Sequence, residues 1–381
     1  MNNMVEIKEI NSGKRSELRK FTHFPTDYLY SDNDCYVPNM CLDDLTMFDP
    51  KENPAFDFCE AVYYMAYRDG KPVGRIAGII NRKVNERSGE LEGRFGFIDY
   101  IDDEEVVDAL INAVTTWAKS RGMTRLTGPL GFTDMDPEGM LVEGFDREGT
   151  QATIYNHAYY VKHMERLGFV KNADWLEFRI KVPESVPEKM MRIANIVKTR
   201  YDIGTIRFTS RKKMVKEYGN AIFSVINEAY DSLFGYSPLS EKQIKHYINL
   251  YLPFLPLNCL SLIIKNDTRE LIGVGIAIPS LSKALIKCRG RLLPMGWLHM
   301  LKALKGKNDV VDLMLVAIKP EYQSKGVNSL LFTDLIPSFI ENGYSYAESN
   351  PELEANQRVQ QQWQYFETEQ HKRRRAFTKE I

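Results

Sequence analysis

One order of elements runs through this chain twice, and no other feature restricts its fold as much. In the first run, Ala61–Tyr67 (AVYYMAY) and Pro72–Ile80 (PVGRIAGII) are apolar stretches joined by Arg68-Asp69-Gly70-Lys71. Asp-Gly between two such stretches predicts a β-hairpin, because the tight turn needs residues at ease with positive φ. Gly93–Ile101 (GRFGFIDYI) predicts a third strand. The acids of Asp102–Glu105 suit the start of a helix over Val106–Lys119, and Gly122 suits its end. A short strand at Thr124–Gly128, a helix at Tyr155–Leu167 and a strand at Trp175–Val182 complete the run.

The succession then returns. Helices Lys216–Leu233 and Glu241–Leu250 lead into strands at Leu260–Ile264 and Leu271–Ile278, around a turn at Asn266–Arg269. Val310–Ile318 is the third strand, Asn328–Ile340 its helix with Gly343 as the stop, and Tyr344–Ser349 the short strand. Gln357–Glu369 reads as the last helix and Arg373–Lys379 as the final strand. VGRIAGII in one hairpin matches IGVGIAIP in the other. Self-similarity of this kind predicts two copies of one α/β unit, each with a mixed (α+β) sheet. Pro183 and Pro187 mark the boundary. The expected division is a first unit over residues 1–184, a linker over 185–204 with a helix at Glu188–Arg200, and a second unit over 205–381 with an insert at 279–308. The first unit opens with an arm, Glu17–Asn53, punctuated by prolines and expected to form turns and helical pieces.

Charge and cysteine content exclude some classes. Fifty basic residues face fifty-one acidic ones, so the chain as a whole offers no field for a polyanion, and nucleic acid is not an expected partner. Arg373-Arg374-Arg375 lacks interleaved aromatics and reads as a strand with one solvated side. Five cysteines without a C-x-x-C pair predict reduced thiols and a cytoplasmic protein. Met1–Ile10 lacks an apolar signal core, and no apolar run is long enough for a transmembrane segment. In the loop Pro129–Thr150, Asp134-x-Asp136-x-Glu138-Gly139 hints at a calcium loop, but its twelfth position is Phe145 where a bidentate glutamate is required. A solvated or substrate-bordering loop is expected there, and no metal.

Val310–Asn328 (VVDLMLVAIKPEYQSKGVN) carries the chemistry. An apolar strand ends at Pro320, and Gln323-Ser324-Lys325-Gly326-Val327-Asn328 then opens a helix. Such a loop can aim successive backbone N–H groups at a pyrophosphate. Leu315–Asn328 resembles the acyl-CoA motif of the GNAT superfamily of N-acyltransferases, in which a strand is followed by Gln/Arg-x-x-Gly-x-Gly/Ala. Gln323 and Gly326 match; Asn328 stands where that family prefers Gly or Ala, and asparagine tolerates left-handed backbone. Glu348-Ser349-Asn350, Asn356, and the aromatics Trp363, Tyr365 and Phe366 extend the likeness. Tyr155 with Glu165-Arg166-Leu167-Gly168-Phe169 is similar to the close of a first such unit. That first unit has acids at 99, 102 and 103 instead of the Gln/Arg-x-x-Gly loop, which repels a pyrophosphate. The resemblance therefore implies tandem GNAT-like domains: a degenerate first copy and an acyl-CoA-binding second copy.

What the resemblance implies is transfer of an acyl group from acetyl-CoA or another acyl-CoA to an amine. Val316 and Ile318 N–H groups would orient pantetheine and polarise the thioester. Gln323, Ser324, Lys325, Gly326, Val327 and Asn328 would hold the pyrophosphate, with Asn356 on the pantetheine. The attacking amine must lose a proton, and Glu348 and Asp312 are the candidate bases, with Tyr365 the candidate acid for the leaving thiolate. The rival expectation is a non-catalytic protein that keeps the fold and binds a ligand or partner. The insert 279–308 carries Lys283, Lys287, Arg289, Arg291, Lys302, Lys305 and Lys307 and no acid. Three readings remain open for it: packing on the sheet with solvated lysines, contact with an anionic membrane, or a channel for a long acyl chain delivered by CoA or an acyl carrier protein.

Overall fold

The computed structural model describes residues 4–252, 255–306 and 308–381; Lys307 of the insert lies outside these. Fourteen strands form one mixed sheet. In chain order they are β1 (Glu6–Glu9), β2 (Cys59–Arg68), β3 (Lys71–Asn81), β4 (Glu92–Tyr100), β5 (Arg125–Gly128), β6 (Met140–Glu143), β7 (Val170–Lys181), β8 (Ile203–Ile206), β9 (Leu260–Lys265), β10 (Leu271–Pro279), β11 (Val310–Ile318), β12 (Tyr346–Ser349), β13 (Glu352–Leu353) and β14 (Thr368–Glu380). Their spatial order is β1-β2-β3-β4-β5-β14-β7-β12-β11-β10-β9-β8, with β6 beside β14 and β13 beside β7.

Both hairpins form as their turns predict, β2 with β3 and β9 with β10. β3 is buried on both faces from Val73 to Asn81. On one face, Ile76 packs with Val106, Leu110 and Val114 of the helix Glu104–Lys119. On the other, Ala77 and Ile79 pack with Leu18, Phe21 and Phe24 of the arm helix Arg15–Phe24. The helix lies so close that a Cβ at Gly78 would stand 3.0 Å from Trp117 Cε3, and one at Gly74 2.8 Å from Leu110 Cδ1. In the second half, the helix Asn328–Glu341 and the linker helix Glu188–Tyr201 cover one face. Helices Arg211–Tyr230 and Glu241–Tyr251 cover the other.

The middle of the sheet is an exchange. β7 closes the first half in sequence but pairs with β12 of the second. β14 closes the second half in sequence but pairs with β5 of the first. The two exchanged strands run antiparallel beside each other. Charge locks this seam. Glu177 of β7 is fully buried and meets Lys372 (3.1 Å) and Arg374 of β14, which are 1% and 0% exposed. Burial would raise the Asp174 carboxyl, but Arg375, Lys171 and Arg373 hold it at about 2. The arginine run is thus a strand, but a central one whose charges are spent on β7; Arg374 faces no solvent.

Other differences from the sequence reading have local causes. The last helix is only Gln357–Gln360 followed by a 3₁₀ turn, Gln361–Tyr365; Thr368, expected in that helix, already pairs with Ile180 of β7. The helix expected from Tyr155 starts at Tyr159, because the Asn156 side chain clamps Leu141, accepting its N–H at 2.6 Å and donating to its carbonyl at 3.0 Å. That clamp makes a strand, β6, inside the expected long loop. The insert forms two helices, Ser282–Cys288 and Gly296–Lys305. Their inner residues Leu285 and Met300 pack on Val37 and Met40 of the arm rather than on the sheet alone.

Candidate active site

The second half contains an open wedge. β11 and β12 pair in parallel only from Val310–Leu313 with Tyr346–Ser349. β11 then bulges at Met314: Leu313 pairs with Ala277, and Leu315 with Ile276. Asn350 fastens the parting, its backbone N–H donating to Leu313 O (3.2 Å) and its side chain to Met314 O (2.6 Å). Beyond it the chain swings to β13 on β7. Lys319 N–H bonds Ile272 O at 2.9 Å. Antiparallel alternation therefore turns the backbone groups of Val316 and Ile318 away from β10 and into the wedge. Their carbonyls are already bonded, Val316 O by the Tyr230 hydroxyl (3.1 Å) and Ile318 O by Gln323 Nε2 (2.9 Å). Their N–H groups are left to face the opening.

At the mouth of the wedge lies the loop Gln323–Asn328. Ser324 (φ +58°) and Gly326 (φ +77°) take left-handed backbone while Val327 is right-handed. Among the described residues, the N–H groups of Ser324, Lys325, Gly326 and Val327 donate to no protein group. Alternating hands with unspent N–H groups make an anion nest. Asn328 is the first helical residue, so the left-handed positions fall on Ser324 and Gly326, and asparagine at 328 costs the loop nothing in backbone strain. Gly326 lies under the linker helix, where a Cβ would come within 2.8 Å of Ile193. Lys325 Nζ lies over Tyr201 at 5.6 Å and Tyr322 at 6.0 Å. Asn356 precedes the short helix without capping it through its side chain.

The acids separate into levels. Asp312 and Glu348 are register partners, side by side one rung below the parting. Asp312 is 2% exposed, and both its oxygens are buried without a hydrogen-bond partner of good geometry. Burial pushes its carboxyl up to about 7, with nearby Ser280 opposing and Glu348 adding to the rise. Glu348 meets His371 Nε2 at 2.8 Å and Arg179 at 3.6 Å. His371 is the extra residue of a β-bulge in β14, since Gln370 pairs with Phe178 and Lys372 with Glu177; the bulge re-aims its ring. Tyr365 is not part of this group. It packs with Val311, Leu313 and Ala347, on the opposite face from Asp312 and Glu348, with Lys189 Nζ 5.0 Å from its ring centre.

Glu352 stands at the wedge itself. It opens β13 just past the parting, and the Trp363 indole donates to its two oxygens at 3.0 and 3.2 Å. Burial lifts its carboxyl to about 8 despite that bond, and its charge reaches Tyr230, the residue bonded to Val316. Sequence reasoning passed over both Glu352 and His371. An acid two residues beyond Asn350 was a usable signal for the first; nothing local announces a bulge for the second.

The first half has the same strands in a different state. β4 and β5 pair at Glu92–Arg94 with Arg125–Thr127, and then Leu130 N–H bonds Phe95 O at 2.9 Å. Phe132 O accepts from buried Asn81 at 2.8 Å, so Leu130-Gly131-Phe132 fills what is open in the second half. Asp103 caps the following helix through Glu105 and Val106 N–H and is itself held by Arg68. Asp134 and Asp136, from the run that hinted at calcium, sit near Arg94; burial raises them to about 7 and about 6. Among the described residues no group of three or more His, Cys, Asp or Glu side chains is arranged to hold a metal, and no helix is long and apolar enough to cross a membrane. All five cysteines are free thiols.

No family model matches the sequence. Protein YghO of Escherichia coli (strain K12) is 26% identical over 96% of this chain and 94% of its own length. A protein of Caulobacter vibrioides named bacterial ceramide synthase is 26% identical over 81% of this chain and 79% of its own. Among solved structures, a tandem GNAT protein from the clavulanic acid biosynthesis pathway superposes with a TM-score of 0.58 at 10% identity, covering 99% of this chain and 98% of its own. A GCN5-related N-acetyltransferase from Sphaerobacter thermophilus superposes at 0.51, also at 10% identity, covering 99% and 95%. The chain has the fold of the tandem GNAT proteins, two GNAT-like units in one continuous sheet.

Proposed function

We propose that this protein moves an acyl group from a thioester, acyl-CoA or acyl carrier protein, to the amine of a lipophilic acceptor, using the second half alone. The observation that carries this reading is the wedge between β11 and β12, where unspent N–H groups and a raised carboxyl meet. Val316 and Ile318 N–H groups suit a thioester carbonyl and its pantetheine. The nest at Ser324–Val327 suits a pyrophosphate: its donors are free, and glycine at 326 lets it lie flat under the linker helix. Glu352, raised to about 8, takes the ammonium proton of the acceptor. Glu348, backed by His371, and Asp312 lie on the other face of the sheet from Glu352, since Glu348 opposes Arg179 and Glu352 opposes Leu176 on β7, and Glu352 passes the proton on to water. Tyr365, on the opposite face from Asp312 and Glu348, has a packing role in this reading. The relative named ceramide synthase supports a lipid among the substrates.

Thermal melting with CoA, acetyl-CoA, octanoyl-CoA and palmitoyl-CoA tests it. A ligand at a hundred times its dissociation constant adds about 2.7 kcal/mol to stability, so a rise of several degrees is expected, larger for long chains. No rise with any thioester removes the acyl-transfer reading and leaves a binding protein of the same fold. If binding is seen, transfer to a long-chain amine at pH 8 is the expected activity.

A further inference from the structure

We infer that the insert is a membrane-docking element that seats its outer helix on an anionic lipid surface. This goes beyond the acyl-transfer reading and does not rest on it. Among the described residues, fifteen large apolar side chains are exposed, and five of them fall within nine residues: Leu293 (80%), Met295 (57%), Trp297 (48%), Leu298 (38%) and Leu301 (41%). The helix Gly296–Lys305 explains their display. Met300, Ala303 and Leu304 turn inward to the arm. At 100° per residue, Trp297, Leu301, Lys305, Leu298 and Lys302 share the opposite arc. An apolar ridge flanked by lysines on one helix face is the pattern of an interfacial helix.

Charge commits the occupant. The insert, residues 279–308, contains no Asp or Glu. Asp27 pairs with Arg291 (2.7 Å) and Arg289 (3.7 Å), and Asp309 with Lys283 (3.7 Å); Glu148 also lies near Lys283, on the side of the insert away from the outer helix's lysines. Lys287, Lys302 and Lys305 have no ion-pair partner among the described residues. Unpaired lysines beside exposed Trp and Leu complement anionic headgroups over acyl chains. The base of the insert is rigid: Asn308 Nδ2 donates to Ser280 O at 2.8 Å, and Ser280 N–H to Val310 O at 2.9 Å. The insert is therefore tied at its base to β11, and its outer helix is seated on the arm through Met300 and Leu304.

Trp297 supplies the reporter, because Trp117, Trp175 and Trp363 are all buried. The full-length protein is mixed with phosphatidylcholine vesicles, with and without phosphatidylglycerol, and followed by flotation and Trp emission. Flotation only with phosphatidylglycerol, with a blue shift absent in Trp297→Ser, is the expected result. Lys302→Glu and Lys305→Glu should each weaken binding by roughly five-fold or more. Trp297→Ser with Leu301→Gln should weaken it at least as much while the melting temperature stays unchanged, since both side chains are exposed. No flotation with phosphatidylglycerol overturns the inference. So does binding that depends on the lysines but ignores the Trp297 and Leu301 changes, because that describes an acidic protein partner and not a bilayer.

Discussion

Two helix starts, one in each half, follow equivalent strands and differ in who satisfies them. In the first half, Asp103 turns its own carboxylate onto the N–H groups of Glu105 and Val106. In the second, the four N–H groups of Ser324–Val327 are left without a protein acceptor among the described residues. One helix start carries its anion built in; the other keeps a place for one. The wedges behind them differ in the same sense, since Leu130-Gly131-Phe132 fills the first and the second stays open beyond the hydrogen bond from Asn350 to Met314. Equivalent positions are closed in the first half and open in the second.

The largest effect should come from removing the carboxyl found only in the open wedge. Glu352→Gln is expected to lower the rate of acyl transfer by about 10²–10⁴-fold. In the parent protein kcat/KM should rise with pH through about 8 as Glu352 loses its proton, and the variant should lack that rise. A profile unchanged in Glu352→Gln would hand the role to another group. Next is the seam the halves share. Glu177→Ala leaves Lys372 and Arg374 buried without their partner, at a cost of about 3–5 kcal/mol. Denaturant unfolding should shift as one transition; two separated transitions would mean that the halves are independent.

Ser324→Asp makes the open loop resemble the closed one. Ser324 is exposed and left-handed, a conformation aspartate accepts, so the fold should survive while CoA affinity falls by roughly ten-fold or more through repulsion. The mirror change, Asp103→Ala, should cost about 1 kcal/mol of stability by loss of the cap and confer no thioester binding on the first half. The smallest effect concerns pH. Folded Asp312 keeps its proton up to about 7 against an ordinary value of 3.8. Between these values the folded state binds more protons than the unfolded one, so stability falls as pH rises. Asp312→Asn should remove that loss, raising the melting temperature at pH 8 by a few degrees and leaving it nearly unchanged at pH 4.

What could be read from the sequence follows from how local each signal is. Asp69-Gly70 specifies its hairpin within four residues, and the nest is announced by Gln323 and Gly326 at the end of an apolar strand. The exchange carries no such signal. Thr127 and Thr378 hydrogen-bond across the β5–β14 seam at 2.9 Å, 251 residues apart, and either strand would look the same in its own half. β6 escaped notice because the Asn156 clamp that creates it lies fifteen residues further on. Glu352 and His371 owe their chemistry to burial and to a bulge, which are properties of the assembled sheet. Asn328 departs from the motif at a position where the backbone is simply helical, so no left-handed tolerance is needed there.

The crossed strands also constrain the order in which the molecule can be made. β14 is encoded after every other strand of the sheet, yet it fills the gap between β5 and β7 in the first half. During synthesis, the N-terminal half must wait with two unpaired strand edges, and Glu177 without its partners Lys372 and Arg374. Contacts this distant in sequence form slowly, and open edges invite pairing with other chains. A ribosome-bound fragment ending near residue 184 should therefore be sticky and protease-sensitive, and the chain should become resistant in one step when its last strand emerges.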